Sequence, residues 1–334
     1  MKKLTFLFFA LSLLLSCEKS NAPELIIDFN PPVLDQYDIV AIDFDNKGNA
    51  WAGTFNAHWP GDVNSPKLIR YNIETGSTTI WDTSNSLLRD SAFIWDITVD
   101  RNDNIWIGSE SLIRFDGEVF TRFGVDNSDL PSNHVTSIVE DSQGNIWFSS
   151  GGLVKFNGMD FTVYTPDNSD LPLNIVGALA IDGDDNIWAA QDRYLDESCL
   201  ARLSGETISV YTGDDLGFIP AYWGDVEMSK MNSLWCSVDY TLSYSSYNPR
   251  PQVILFDGKE CELISFDDHS SIRELAVDHD GNLWGQSNDL VVAYNGTDWV
   301  IDSLTLKDRW ASAIEVSKDN RIWLGTSTGI LISR

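Results

Sequence analysis

The chain has 334 residues, 50 of them acidic and 22 basic, for a formal charge of −28 at pH 7. A field of that sign repels phosphate backbones and anionic lipid surfaces at long range, which excludes nucleic acid and leaves cationic, neutral or divalent partners; the same acidity keeps an exported protein in solution. Four cysteines and four histidines leave little material for thiol or imidazole chemistry.

The N-terminus reads Met1-Lys2-Lys3, then an apolar run from Leu4 to Leu15, then Ser16-Cys17. A short basic head followed by such a run is a secretory signal, and it is too short to cross a bilayer, which takes roughly 20 apolar residues. Leu14-Leu15-Ser16-Cys17 is similar to a bacterial lipobox. Residues 1–16 are therefore expected to be cleaved, with lipid on Cys17 as the membrane anchor and residues 17–23 as a tether. Cleavage removes Lys2 and Lys3 and no acid, which leaves a charge of −30. The expected location is the bacterial cell envelope, lipid-anchored at the outer membrane, facing either the periplasm or the outside.

From residue 24 onward one phrase recurs: an apolar-alternating run, a turn of the type Asp-x-x-Gly-Asn, then an apolar residue and Trp. The copies centre on Trp51, Trp106, Trp147, Trp188, Trp235, Trp284 and Trp323, at steps of 55, 41, 41, 47, 49 and 39 residues. Seven copies at this period predict a seven-bladed β-propeller with four-stranded antiparallel blades over residues 24–334. In the third copy strand A is expected at Val135–Val139, B at Ile146–Ser149, C at Gly152–Phe156 and D at Phe161–Tyr164. Asn157-Gly158 joins C to D as a hairpin, because both residues tolerate positive φ; Asp116-Gly117, Asp257-Gly258 and Asn295-Gly296 repeat it. Helical periodicity of ten residues or more is absent. The last copy ends after strand C, and an orphan strand at 24–29 precedes the first. Placed as strand D of the seventh blade, it closes the ring and leaves no exposed edge. A Trp repeated at one strand position fills the gap between neighbouring blades, so the seven are read as structural.

Cys199, Cys236 and Cys261 remain after Cys17. Cys236 and Cys261 fall on strands that are not neighbours, roughly 9–10 Å apart, beyond disulfide reach. All three are read as buried apolar residues.

The copies resemble the two-component regulator propeller repeat. Asn127-Ser-Asp-Leu-Pro131 and Asn168-Ser-Asp-Leu-Pro172 each lead into a strand A followed by the Asn-Ile-Trp phrase, and blade 5 is the weakest match, Met228-Ser-Lys-Met-Asn-Ser-Leu-Trp235 having lost the acidic turn. The resemblance implies an extracytoplasmic, sensor-type propeller such as those of hybrid histidine kinases, often glycan-responsive. The chain departs from that pattern, since its 334 residues hold no kinase or DNA-binding segment.

The A–B and C–D turns share one face and are short, so long loops on the B–C and D–A face are where binding is expected. Exposed aromatics beside polar groups suit sugars. Candidate ligand-binding residues are His58, Trp59, Arg193, Tyr194, Tyr222, Trp223, Tyr240 and Arg250, with His269 and Arg309-Trp310 on D–A loops. The partner is expected to be a glycan or an envelope protein, bound by a monomer. Calcium is the alternative reading of Asp182-Gly-Asp-Asp-Asn186 and Asp278-His-Asp-Gly-Asn282, but neither supplies the bidentate Glu of an EF-hand loop, and Asp and Asn favour tight turns by bonding their own backbone. No catalytic residue is assigned. A propeller lyase similar to streptogramin lyase would need His58 or His134 beside a metal or acid.

Overall fold

The structure, a computed structural model, describes residues 27–55, 65–89, 93–191, 198–218, 222–239, 253–264, 272–287, 290–302, 306 and 309–334, without the side chains of Tyr222 and Asp239. Seven antiparallel sheets follow one another along the chain, each adding its strands in sequence order, A-B-C-D in six of them and A-B-C in the last. Blade 1 runs from Asp38–Phe44 to Thr78–Trp81, blade 2 from Asp96–Val99 to Phe120–Phe123, and blade 3 from Ile138–Glu140 to Phe161–Tyr164. Blade 4 spans Val176–Ile181 to Thr207–Tyr211, blade 5 Tyr222–Met228 to Cys261–Ile264, and blade 6 Arg273–Val277 to Trp299–Asp302. Blade 7 has three strands, Ala311–Val316, Ile322–Thr326 and Gly329–Ile332. Consecutive A strands contact one another all the way round, blade 7 touching blade 1, so they ring a central axis.

The recurrent Trp explains why these sheets assemble. Each blade buries both faces of strand B, and the core divides into seven clusters, one per blade interface. Trp51 packs with Ile105 and Phe115 of blade 2, Trp147 with Ala189 and Leu203 of blade 4, and Trp323 with Ala50 and Ile69 of blade 1. The last contact closes the circle. All seven indoles lie between 0% and 6% exposed.

A buried indole needs an acceptor for its N–H, and the acidic turn supplies it. In blade 3, Asp141 Oδ1 accepts the Gln143 and Asn145 backbone N–H groups, while Oδ2 accepts Asn145 Nδ2 at 2.7 Å and Trp147 Nε1 at 2.9 Å. The same carboxylate-to-indole bond recurs from Asp45 to Trp51, Asp100 to Trp106, Asp182 to Trp188 and Asp278 to Trp284, at 2.9–3.1 Å. Burial raises the pKa of Asp141 and Asp182, but the hydrogen bonds received from Trp, Asn and backbone more than offset it, so both end below the ordinary value. Serine stands at this position in blades 5 and 7 (Ser229, Ser317), and the indole N–H groups of Trp235 and Trp323 have no acceptor.

Side chains also tie blade to blade. Near the axis, Asp43 accepts the Val99 N–H at 2.5 Å, Asp96 that of Ile138 at 2.7 Å, and Asp225 that of Leu275 at 2.8 Å. On the turn face, Asp103, Asp185, Asn232 and Asn320 adopt φ of 61–62°. Their side chains accept backbone N–H groups of the preceding blade's turn, from Asn46, Ser142, Gly183 and His279. Asp and Asn are the residues beside Gly that tolerate this left-handed region.

Several expectations shift in detail. Strand A of blade 3 starts at Ile138, because Ser149 Oγ accepts the Thr136 and Ser137 N–H groups and replaces the ladder there. The ring is closed by residues 28–33: Asn30 N–H bonds Ile332 O, Val33 and Ile330 exchange bonds, and Arg334 N–H bonds Asp28 O. These form isolated bridges at Phe29 and Val33 in place of a continuous strand, and residues 24–26 lie outside the described residues. A short helix, Gly213–Leu216, caps the blade 4 exit. Cys199 and Cys236 are buried, whereas Cys261 is only half-buried.

Candidate functional site

The hydrogen bonds just described account for the turn face, so the acidic turns are occupied by N–H donors. The opposite face gathers the B–C and D–A loops. There the Asn-Ser-x-Leu phrase builds a fixed D–A corner. Asn127 Oδ1 accepts the Gly124 N–H and its Nδ2 donates to Arg122 O; Ser128 Oγ donates to Gly124 O, and Leu130 plugs the core. Asn168 with Ser169, and Asn85 with Ser86, make the same bonds.

Of the residues predicted to bind, His58, Trp59, Arg193, Tyr194, Tyr240 and Arg250 lie outside the described residues, as do His269 and Cys17, the expected lipid site. Tyr222 opens strand A of blade 5, and only its backbone is described. Trp223 corrects the expectation: it is 0% exposed and packs with Val226, Val238 and Leu216. It stands two residues before Asp225, the place that Ile94 holds before Asp96, and both side chains plug a blade interface.

The structure instead exposes an aromatic strip that the sequence reading passed over. Phe55, at the end of strand B of blade 1, stacks on Phe93 with centroids 4.8 Å apart. Phe93 meets Trp95 at 5.3 Å, and Trp95 meets His134 at 5.4 Å. Phe93 is 39% and Trp95 44% exposed. The strip crosses from blade 1 to the entrance of blade 3, carried by D–A corners that Leu88 and Leu130 anchor in the core. The signal was present in the alternation of Phe93-Ile94-Trp95: with Ile94 buried, its neighbours must face outward.

A second feature lies on the same face between blades 6 and 7. A cleft of about 550 Å³ is lined by Arg273, Glu274, Gln286, Arg309, Trp310, Ala311 and Ser312. Trp310 is 63% exposed.

Inside, the A strands present carboxylates to the axis. Burial pushes Asp43 up to about 6, Asp96 to about 7, and Glu227 and Glu274 to about 8; Asp225 and Glu315 are raised as well. Asp96 and Asp225, from blades 2 and 5, repel each other across the axis, and Glu315 adds to the repulsion from blade 7. Each keeps part of its surface open to the channel although protein surrounds it. Among the described residues no group of three or more His, Cys, Asp or Glu side chains could hold a metal ion.

The sequence profile described as "Two component regulator propeller" matches residues 88–111 and 129–152, which cover the Leu88 and Leu130 corners and the strands they lead into. No curated protein matches the chain. Two solved extracellular domains, each assigned to a hybrid two-component system of B. thetaiotaomicron, superpose on it. One has a TM-score of 0.72 at 16% identity, covering 92% of this chain and 43% of the other. The second has 0.67 at 15%, covering 89% and 39%. Virginiamycin B lyase from Staphylococcus aureus, with quinupristin, gives 0.70 at 11%, covering 92% and 98%. The chain thus spans less than half the length of the two sensor domains, and at these identities the likeness is one of fold.

Proposed function

The chain is a seven-bladed propeller carrying two-component regulator propeller repeats, and we propose that it is a non-catalytic, extracytoplasmic receptor that binds a ligand, a glycan foremost, on its loop face. The secretory signal and Cys17 support a lipid-anchored position in the envelope, at the outer membrane. The observation that carries the reading is the exposed strip of Phe93, Trp95 and His134. Aromatic rings that brace one another on corners anchored in the core offer exposed apolar surface for sugar rings with little ordering cost on binding.

The lyase reading is weaker on one observation: the ring neighbour of His134 is Trp95, which neither accepts a proton nor polarises an imidazole as a general base requires. A protein-binding scaffold has a specific observation in its favour, the exposed Leu87, Val125 and Ile175 on neighbouring D–A corners.

The test is a thermal-shift and calorimetric screen of the purified protein against neutral oligosaccharides. Ligand at 100 times its Kd stabilises the fold by about 2.7 kcal/mol. Trp95→Ala and Phe93→Ala should each weaken binding at least tenfold with the melting temperature of the free protein retained. Wild-type affinity in both variants would remove the strip from the function. A flat panel, with capture of an envelope protein lost in Ile175→Asp, would favour the scaffold.

A further inference from the structure

We propose that the cleft between blades 6 and 7 is a second binding site, specific for a ring compound that carries a carboxylate. The cleft sits on elements other than those of the aromatic strip: strand A and the end of strand B of blade 6, and the D–A corner Arg309-Trp310 that leads into Ala311–Val316 of blade 7.

Its charge is opposite to that of the molecule. In a chain with 50 acidic and 22 basic residues, cations are normally claimed by acids. Arg101, Arg122, Arg202 and Arg321 each form an ion pair at 2.6–3.0 Å. Arg309 has no carboxylate partner among the described residues, and it lines the cleft together with Arg273. Guanidinium groups present paired N–H donors matched to a carboxylate. Next to them Trp310 offers an exposed ring face on which an apolar ring surface stacks.

The remaining wall makes an anion tolerable. Glu274 would repel a carboxylate if ionised, but burial and the charges of Asp225 and Asp96 hold its pKa near 8, against the opposing pull of Arg273. At neutral pH it is therefore mostly protonated and repels an anion little. Its backbone is also unusual. Glu274 lies at the strand A bulge with φ of 45°, in the left-handed region that a long side chain rarely adopts. Strain of this kind persists where the surroundings over-determine it, and it clusters at ligand sites. Gln286 completes the wall with an amide.

Calorimetry on the whole protein at pH 7 can use three probes: trigalacturonate, 4-hydroxybenzoate and the neutral sugar maltotriose. In a Phe93→Ala/Trp95→Ala background, which removes sugar binding at the strip, at least one acid should bind ten times or more tightly than maltotriose, and the two acids tell a sugar acid from an aromatic one. Arg309→Ala and Trp310→Ala should each weaken that acid at least tenfold, and Trp95→Ala should leave it unchanged, which separates this site from the strip. Glu274→Gly should raise the melting temperature, by releasing the strained residue, while weakening the acid. Equal affinity for maltotriose, millimolar silence from both acids, or unchanged affinity in Arg309→Ala and Trp310→Ala would each overturn the proposal.

Discussion

Restoring the acidic turn of blade 5 is expected to stabilise the protein. Ser229 and Ser233 occupy the positions held by Asp141 and Asn145 in blade 3, and Ser229 Oγ only accepts the Ser233 N–H. Trp235 Nε1 is left without an acceptor in a buried interface. A buried donor without a partner costs about 1–3 kcal/mol. The substitution Ser229→Asp/Ser233→Asn would supply the acceptor that five other blades place 2.9–3.1 Å from the indole. Burying a new carboxylate opposes the gain, and the lowered pKa of Asp141 and Asp182 decides the sign: in this turn the folded state favours the ionised acid. The net gain should be about 1–2 kcal/mol, or roughly 2–4 °C in melting temperature for a chain of this size. Differential scanning calorimetry measures it, and a cycle with Trp235→Phe isolates the bond, since removing the N–H should cost at least about 1 kcal/mol more in the restored background. The converse, Asp141→Ser, leaves a hydroxyl that accepts the Asn145 N–H as Ser229 accepts that of Ser233, strips the other three donors of their acceptor and should cost about 3 kcal/mol. A lowered midpoint in the restored variant, or a cost under about 0.5 kcal/mol for Asp141→Ser, would refute the reasoning.

The axial carboxylates predict a falling stability between pH 5 and 8.5. Their folded values of about 6 to 8 exceed those of an unfolded chain, so the native state holds protons the unfolded state has released; stability is complete near pH 4 and is lost as pH rises through 6–8. After screening by channel water, roughly 1 kcal/mol per group is expected, and Glu227→Gln with Glu315→Gln should flatten the melting profile; an unchanged slope would contradict it. Gly329→Ala tests ring closure. At φ of 95° an added Cβ would lie 2.4 Å from Val33 O and 2.8 Å from Asp35 Cα, against the N-terminal segment that completes blade 7. A loss of about 2–4 kcal/mol, with faster proteolysis before residue 33, is expected. Ile94→Asp should cost at least about 3 kcal/mol and Trp95→Asp under about 1, because the first plugs an interface and the second faces solvent; comparable chevron midpoints would overturn the inside-outside assignment.

The fold was legible in the residues because each blade repeats one local solution. Asp-x-x-x-Asn-x-Trp is complete within seven residues: the carboxylate gathers its own turn and the indole N–H, and the Trp ring then needs a neighbouring sheet. Five blades carry the whole unit and two keep only its Trp, and seven rings at steps of 39–55 residues could only be buried by stacking the sheets in a circle. The D–A corners were equally local, since Asn127 and Ser128 bond residues no more than five positions away.

The candidate site was not legible in the same way. Trp95 stands just before one strand A and Trp223 one residue inside another, and no composition rule separates them. Which one faces solvent depends on register. Two residues before the stapling aspartate a side chain enters the blade interface, and one residue before it the side chain leaves, so Trp223 is core and Trp95 is surface. That register is set by the hydrogen bonds of Asp96 to Ile138 and Asp225 to Leu275, across 42 and 50 residues. The sequence by itself determined the blade, its number and its turns, because the bonds inside each turn are short in sequence. The tertiary structure decided which aromatics are exposed, which acids hold protons and that Arg309 has no carboxylate beside it among the described residues, because each depends on a neighbouring blade.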